Sequence, residues 1–519
     1  MDSSTVIASL GMRSHAHTFN NDTNDTSLSS SGIRKRLKAV PKDQLYSVYT
    51  HLQHEIDALP IPKNLCPVCQ TTIALVPKVA GGYVPKIVLK PSGDQSYHTI
   101  NEMAIEALSC KLCRLMFTSM VVDELTWSKH GLDWLRNWTP VIELLEETRS
   151  EQYLVVRPSQ DVQARYGIGI EPQHLDDMKQ RMWDREDKKR VTVRSKISAY
   201  SISHTFPESP LLRFDKFVPL PVNPRDSLNW IMRCIGECQA IDNCPESLQA
   251  PPLPRRVIDV SSSKEPFLWK SRGACGDYKE MKLSEFPQIF KDAIWMTRQL
   301  RVKYLWIDSI CIIQKKSDIR DSEFRDEIHE RDWAEESVKM KSYYGNAYLT
   351  LSALDGKDSH TSMLSPRAEE NTVRLKDCGI ILGPYRRPWH QIFEDSILNS
   401  RGWVFQERLL STRVLHSSST EFLWECKSFS AMEGRSDTNL IPRQTDSRLT
   451  FPTRFPEHSQ LKTYLHSLRP GNALEEWPSI LSLYLRRKMT SRTDWLPGLS
   501  GLAEYFQKLA NLTYIAGIW

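Results

Sequence analysis

The sequence lacks any run of apolar residues long enough to cross a membrane. Its best apolar run, residues 304–313, is interrupted by Asp308, and it is far shorter than the roughly 20 residues of a membrane-spanning helix. The N-terminal residues also lack a charged leader followed by an apolar stretch, so we expect no secretory signal. These absences predict a cytoplasmic protein with no membrane partner.

The sequence also lacks an excess of charge of either sign. It has 68 Lys+Arg against 63 Asp+Glu, a net charge of +5 in 519 residues. Proteins that bind nucleic acids usually carry a strongly basic surface, so no nucleic-acid partner is expected. A local exception is the basic patch of Arg34, Lys35, Arg36 and Lys38, which is either a solvated surface or a nuclear address.

Glycine is scarce, with 21 residues, and the motifs that often accompany catalysis are missing. There is no phosphate-binding Gly-rich loop, no Gly-x-Ser-x-Gly elbow and no His-Glu-x-x-His pair, which argues against the enzyme classes built on them. The candidate catalytic groups are therefore isolated carboxylates, Asp308 and Glu336, with Glu407 as a further acidic candidate. A structural role is the more common one for each of them: Asp308 could tie down a neighbouring loop, and Glu336 and Glu407 could be surface or salt-bridged residues.

The residues between 285 and 354 carry the clearest secondary-structure pattern. Helical periodicity predicts a helix over 285–300, and the apolar run 304–313 predicts a strand buried on both faces. Asp332 is expected to cap a second helix that ends near Gly345, before another strand over 348–354. Helices alternating with buried strands predict an α/β fold in which these two strands are parallel neighbours.

Eleven cysteines are present, and four of them form two Cys-x-x-Cys pairs. Cys66, Cys69, Cys110 and Cys113 could hold a tetrahedral zinc ion, with His98 between the two pairs. Reduced thiols packed in a small core are the other interpretation, and both stay open. A second group lacks an obvious fourth ligand and is expected to consist of packed thiols: Cys234, Cys238 and Cys244.

Changes in composition divide the chain into four segments. A Ser/Thr/Asn-rich arm over 1–44 is expected to be disordered, and a proline cluster near 251–254 marks a boundary. Between them lies a cysteine-containing α+β region, 45–250. The α/β domain is expected over 255–430, followed by a helical segment over 431–519 whose apolar end reflects either a truncated gene product or a C-terminus docked into the core.

Three ordered blocks of the sequence resemble the signature blocks of the fungal heterokaryon-incompatibility (HET) domain. They are YLWIDSICIIQ at 304–314, DWAEESVKMKSYYGNAYLTLSAL at 332–354 and RGWVFQERLLSTRVLHSSSTEFLWEC at 401–426. The resemblance implies a TIR-like, flavodoxin-like core with a parallel sheet. It also implies a set of signature or binding residues: Trp306, Gln314, Trp333, Arg401, Trp403, Gln406 and Glu407.

The function implied by this resemblance is fungal self/non-self recognition. The protein would trigger an incompatibility or programmed cell-death response by interaction with other proteins of that pathway, and it could self-associate. One alternative is a TIR-like hydrolase that cleaves NAD as its substrate, with Asp308 and Glu336 as catalytic carboxylates. A second alternative is an inactive paralogue that is degenerate or mis-spliced.

One departure from the family pattern affects these expectations. The first signature block, Ser-Tyr-x-Trp-Gly, is missing, because SRGACGDY at 271–278 runs directly into KEMKLSEF. That strand should be central and buried, so its loss is expected to leave an unpaired strand edge and a groove in the core. We therefore expect the chain to show no NAD cleavage.

Overall fold

A computed structural model describes most of the chain. The described residues are 5–9, 28–39, 45–75, 86–91, 98–121, 140–148, 151–158, 193–195, 197–201, 218–241, 244, 251–271, 278–314, 327–356, 358–375, 380–387, 389–435, 461–515 and 519. They divide into two compact units. Unit 1 comprises Met1–His17, Leu220–Ala368 and Trp389–Trp519, and unit 2 comprises Thr18–Pro219 and Glu369–Pro388.

The described strands and helices are numbered separately in chain order. The strands are β1 (Thr5–Ser9), β2 (Thr72–Leu75), β3 (Lys86–Pro91), β4 (Met120–Val121), β5 (Pro140–Thr148), β6 (Glu151–Pro158), β7 (Val193–Ser195), β8 (Ile197–Ser201), β9 (Arg256–Asp259), β10 (Phe267–Lys270), β11 (Tyr278–Glu280), β12 (Tyr304–Ile307), β13 (Leu349–Ala353), β14 (Val373–Arg374), β15 (Ile380–Pro384), β16 (Arg413–Ser417), β17 (Phe422–Cys426) and β18 (Ser430–Met432).

The helices are α1 (Ser30–Ala39), α2 (Leu45–Asp57), α3 (Pro67–Gln70), α4 (Ile100–Glu106), α5 (Lys111–Ser119), α6 (Leu228–Gln239), α7 (Gln288–Gln299), α8 (Asp308–Cys311), α9 (Glu327–Ser337), α10 (Met340–Asn346), α11 (Trp389–Glu394), α12 (Gly402–Leu410), α13 (Leu461–Ser467), α14 (Ala473–Leu485) and α15 (Pro497–Ala510). Among the residues described, none of these helices combines the length and the apolar character that a bilayer crossing requires.

Unit 1 is built on a nine-stranded sheet with the order β11-β10-β9-β12-β1-β13-β16-β17-β18. Its four central strands, β12, β1, β13 and β16, run parallel, and the strands on both sides of them are antiparallel. Strands β12 and β13 are buried along their whole length. The predicted α/β class with a parallel core is therefore present, with antiparallel strands added at both edges.

The N-terminal strand β1 lies at the centre of this sheet. Val6 pairs with Leu305 on one side and with Leu349 on the other. The prediction that β12 and β13 are neighbours is therefore wrong, although they are parallel and share one sheet. The expected groove and unpaired edge are also absent from the described sheet, because β1 fills the central position. Its sequence, TVIAS, is rich in the β-branched residues that favour strands.

The segment 1–44, expected to be disordered, also contains helix α1. Ile33 and Leu37 lie one helical turn apart and are 1% and 3% exposed. An apolar pair at this spacing gives a short helix one buried face. Residues 1–4, 10–27 and 40–44 of this segment lie outside the described residues, as do residues 315–326 of the charged run 315–331.

Two predicted elements of unit 1 have different boundaries in the structure. Strand β12 ends at Ile307, and Asp308 begins the helical turn α8, where an acidic side chain interacts favourably with the helix dipole. Asp332 is not a helix cap, because α9 begins five residues earlier, at Glu327. Its buried carboxylate instead accepts hydrogen bonds from Arg256 and from the backbone N–H of Ile313.

The C-terminal helices α13, α14 and α15 form a second apolar cluster of unit 1. Phe405 of α12 packs in this cluster with Trp477 of α14 and Phe506 of α15. The ring of Trp519 lies 5.3 Å from that of Trp477, edge to face. Residues 461–519 therefore pack with the sheet-containing unit, as does α6, which the sequence places in the N-terminal region.

Unit 2 combines helices α1–α5 with two antiparallel sheets. One sheet has the order β2-β3-β5-β6-β7-β4, and the other has the order β14-β15-β8. Strand β15 pairs with β8 over five residues, so Glu369–Pro388 belongs to this unit although it falls within the predicted 255–430 domain. The α+β character expected for the cysteine-containing region is observed.

Candidate functional site

The carboxyl ends of the parallel strands in unit 1 meet at one sheet edge, where α/β proteins commonly bind ligands. Asp308 follows β12 at this edge and is half-buried. Burial raises the pKa of its carboxyl group, while a 2.7 Å hydrogen bond from the backbone N–H of Ser309 and the charge of Arg401 act in the opposite direction. The charges of two predicted site residues, Asp308 and Arg401, therefore interact at this edge of the sheet.

Tyr344 and Glu407 complete this group, which we call the carboxyl-edge cluster (Asp308, Tyr344, Arg401 and Glu407). Burial raises the pKa of Tyr344 well above its ordinary value, and the charges of Glu407 and Asp308 raise it further. Tyr344 also forms a hydrogen bond with Glu407, which is 8% exposed. Tyr344 was missed by the sequence analysis, although it lies inside the second signature block.

Glu336, the other predicted catalytic carboxylate, is fully buried and doubly bound. Its Oε1 atom lies 2.9 Å from Nζ of Lys339, and its Oε2 atom accepts a 2.7 Å hydrogen bond from the hydroxyl of Tyr343. A carboxylate held in this way is well suited to fix the turn between α9 and α10. A ligand at the sheet edge would reach the half-buried Asp308 more readily.

The three predicted tryptophans pack in two places. Trp306 is fully buried, with its ring 5.5 Å from that of Tyr343. Trp333 and Trp403 meet edge to face at 5.7 Å, and Nε1 of Trp403 donates a 3.2 Å hydrogen bond to Asp494. These rings stabilise the contacts of α9, α10 and α12, and their position does not by itself indicate a ligand.

The two predicted glutamines lie apart. Gln314 is exposed, and its Nε2 atom donates to the carbonyl oxygen of Ile312 at 2.9 Å. Gln406 is 4% exposed, and its Oε1 atom accepts a 3.1 Å hydrogen bond from the backbone N–H of Gly501. Gln406 therefore connects the signature helix α12 to the C-terminal helix α15.

A buried charge network under α12 was not predicted from the sequence. Glu425 of β17 is fully buried and lies 2.8 Å from Nε of Arg408, 3.3 Å from Nε2 of His416 and 3.9 Å from Nζ of Lys462. Burial acts to raise the pKa of Glu425, but the charges of Arg408 and Lys462 outweigh it and lower the pKa to about 2. The alternation of polar and apolar residues along a strand cannot reveal such a network, because its four members lie on four separate elements: α12, β16, β17 and α13.

The four cysteines of the two Cys-x-x-Cys pairs converge in unit 2. The sulfur atoms of Cys66, Cys69, Cys110 and Cys113 all lie within 4.8 Å of one another. The Sγ atom of Cys113 is 3.5 Å from that of Cys69 and 3.9 Å from that of Cys66. All four side chains are buried.

Local backbone geometry holds this cysteine cluster together. The backbone N–H of Lys111 donates to the carbonyl oxygen of Asn64 at 2.8 Å, which joins the two pairs. The backbone N–H of Cys113 donates to Sγ of Cys110 at 3.4 Å. Nε2 of His98 lies 3.2 Å from Sγ of Cys66, and this hydrogen bond raises the pKa of His98.

The cluster fits the dimensions of a tetrahedral metal site. Zinc–sulfur bonds of about 2.3 Å that meet at tetrahedral angles place the sulfurs about 3.8 Å apart, close to the two sulfur distances around Cys113. Protonated His98 would also balance negative charge on the thiolates. The cysteines can therefore bind a metal ion such as zinc.

Comparison with known proteins adds one finding. The family model described as heterokaryon incompatibility protein (HET) matches residues 266–407, whereas no curated protein and no solved structure matches the chain. The matched segment contains β12, the carboxyl-edge cluster and the blocks at 304–314 and 332–354, and it ends inside α12. The resemblance predicted from the signature blocks is thus confirmed: residues 266–407 match the heterokaryon incompatibility protein (HET) family.

Proposed function

We propose that the protein acts in fungal self/non-self recognition and triggers an incompatibility or cell-death response through interaction with other proteins. The observation that carries this proposal is the HET match over 266–407. The continuous sheet supports it, because β1 completes the centre of the domain between β12 and β13. We also propose that the parallel core is TIR-like.

Exposed apolar side chains of the HET segment support a mechanism based on interaction. Ile328 and Val338, in α9 and just after it, are 68% and 66% exposed, and Ile397 is 52% exposed. Burial of such side chains against a partner is favourable, by about 25 cal/mol for each Å² of apolar surface removed from water. The proposal therefore places part of the partner surface around α9.

Regulated expression in a filamentous fungus tests this proposal. We expect induction of the chain to arrest growth and admit a viability dye, and we expect Val338→Asp to weaken that response. Leu485→Asp is the matched control, because Leu485 is similarly exposed at 58% but lies outside the HET segment. A chain that accumulates without any effect on growth would contradict the proposal.

A second candidate function is NAD cleavage by a TIR-like site, and the carboxyl-edge cluster is the observation that favours it. A half-buried carboxylate such as Asp308, at the ligand-binding edge of a parallel sheet, could stabilise the cation that forms when the nicotinamide bond breaks. The expectation of inactivity depended on a missing central strand. Since β1 fills that position, the missing block no longer argues against turnover.

Nicotinamide release from NAD by the purified chain tests this candidate. Asp308→Asn removes the charge of the carboxylate at the sheet edge, and Asp226→Asn is a control at an exposed position. If Asp308→Asn abolishes nicotinamide release and Asp226→Asn preserves it, the result would favour the enzyme mechanism over the interaction mechanism. No release by the wild-type chain would remove the candidate.

For unit 2, we propose a structural zinc ion held by Cys66, Cys69, Cys110 and Cys113. The converging sulfurs support this proposal. The metal would join α3 to the start of α5, and the thiolates would be its only protein ligands. Such sites contribute directly to folding free energy.

A further inference from the structure

A second group of cysteines converges in unit 1. Cys238 lies in the last turn of α6, Cys244 follows that helix, and Cys426 ends β17. Their sulfur atoms all lie within 4.8 Å of one another, and all three side chains are fully buried. The sequence grouped Cys234 with Cys238 and Cys244, but in the structure Cys426 takes the place of Cys234 in the group.

A buried arginine points to negative charge at these sulfurs. Arg413 is 3% exposed, and its Nε atom donates a 3.2 Å hydrogen bond to Sγ of Cys238. Its other described hydrogen bonds go to the carbonyl oxygens of Cys244 and Tyr348, at 3.3 and 3.4 Å. Within the described part of the chain, no carboxylate forms an ion pair with it. A buried guanidinium without a carboxylate needs another anion, and thiolates are the available ones.

The backbone around Cys426 also favours a thiolate. The N–H of Phe429 donates to Sγ of Cys426 at 3.4 Å, the same spacing of three residues by which Cys113 N–H donates to Cys110 in unit 2. The hydroxyl oxygen of Ser428 lies 3.3 Å from Sγ of Cys244. Hydrogen bonds donated to sulfur stabilise its charged form.

We propose that Cys238, Cys244 and Cys426 form a second metal site, which binds Zn²⁺ through three thiolates. Three protein ligands leave one position of the tetrahedron for Ser428 or a ligand from solution. The guanidinium of Arg413 offsets the net negative charge of a zinc ion with three thiolates. The metal would fasten α6, which lies before the matched HET segment, to β17, which lies after it.

Zinc content of the purified full chain, measured by elemental analysis, tests this site. We expect two zinc ions per wild-type chain and the loss of one in Cys238→Ala. Cys234→Ala is the matched control: Cys234 is in the same helix and equally buried, but outside the cluster. It should keep both ions. An unchanged zinc content in Cys238→Ala would overturn the proposal.

A variant of unit 2 keeps the test valid if Cys238→Ala fails to fold. Cys66→Ala combined with Cys110→Ala removes the first site and leaves unit 1 untouched. X-ray absorption at the zinc edge of this variant should show one zinc with three sulfur neighbours at about 2.3 Å and one lighter neighbour. Absence of zinc from this variant, or an intact mass that shows a disulfide between two of the three cysteines, would refute the second site.

Discussion

Replacement of Glu425 by Gln should destabilise unit 1 strongly. The carboxylate is fully buried, and it is the anion that faces Arg408 and Lys462, whose side chains are 2% and 0% exposed. Removing one partner of a buried ion pair leaves the other charge uncompensated, which costs about 3–5 kcal/mol. Gln keeps the size and one acceptor oxygen, so we expect the lower end of this range, about 3 kcal/mol.

The assay is urea unfolding at pH 7, followed by tryptophan fluorescence. Trp424 neighbours Glu425 in β17 and is fully buried, so it contributes to the change in fluorescence when unit 1 unfolds. Glu335→Gln is the matched control, because Glu335 is 49% exposed and lies 2.9 Å from Arg255. An exposed pair contributes about 0–1 kcal/mol.

A variant that removes both charges distinguishes the loss of a buried ion pair from the loss of side-chain packing. The double variant Glu425→Gln with Arg408→Met should recover part of the loss, because the guanidinium charge no longer lies next to the neutral amide. A loss below about 1 kcal/mol in Glu425→Gln, equal to that of the exposed control, would refute the reasoning.

Four other expected outcomes concern His416, Leu305 and β1 of unit 1 and Cys66 of unit 2. Burial lowers the pKa of His416 to about 4 against an ordinary 6.5, so the unfolded chain binds a proton that the folded chain does not, and stability should fall by roughly 3 kcal/mol as the pH drops from 6.5 to 4. Acid unfolding of His416→Gln should show a smaller drop, and an unchanged acid profile would contradict this. Leu305→Ala, at a fully buried position of β12, should cost about 2–5 kcal/mol in urea unfolding, whereas a loss well under 1 kcal/mol would indicate an exposed strand. Deletion of residues 1–9 should lower the thermal midpoint of unit 1, because it removes backbone pairing on both sides of β1; an unchanged midpoint would mean that β1 is not part of the folded sheet. Cys66→Ala should abolish zinc binding at the site proposed for unit 2, and zinc retained there would exclude the four-cysteine site.

The sequence predicted the elements that local pattern encodes. The helical periodicity before residue 300 corresponds to α7, and the apolar runs correspond to β12 and β13. Each Cys-x-x-Cys pair lies at the start of a helix, so the spacing was informative about each pair, whereas the hydrogen bond from Lys111 to Asn64 that joins the two pairs had no sequence signal. Asp308 was named as an isolated carboxylate in an apolar run and Arg401 from the family resemblance, and in the structure the charge of Arg401 acts on the Asp308 carboxyl group.

Long-range pairing was beyond the reach of local pattern. Strand β1 is about 300 residues from its neighbour β12 in the sequence, and a five-residue strand in a Ser/Thr/Asn-rich arm has no periodicity that distinguishes it from a loop. Cys426 joins Cys238 and Cys244 across about 180 residues of sequence. Asp332 was misplaced as a cap because its partner, Arg256, lies on strand β9, 76 residues earlier in the sequence.

The measurement that tests the central claim most directly follows growth and cellular NAD together after induction of the chain in a fungal host. For an interaction mechanism, we predict that the wild-type chain and Asp308→Asn both arrest growth while NAD stays at its level before induction. A chain that accumulates without arresting growth would contradict the account. So would a fall in NAD that precedes the arrest and is abolished by Asp308→Asn.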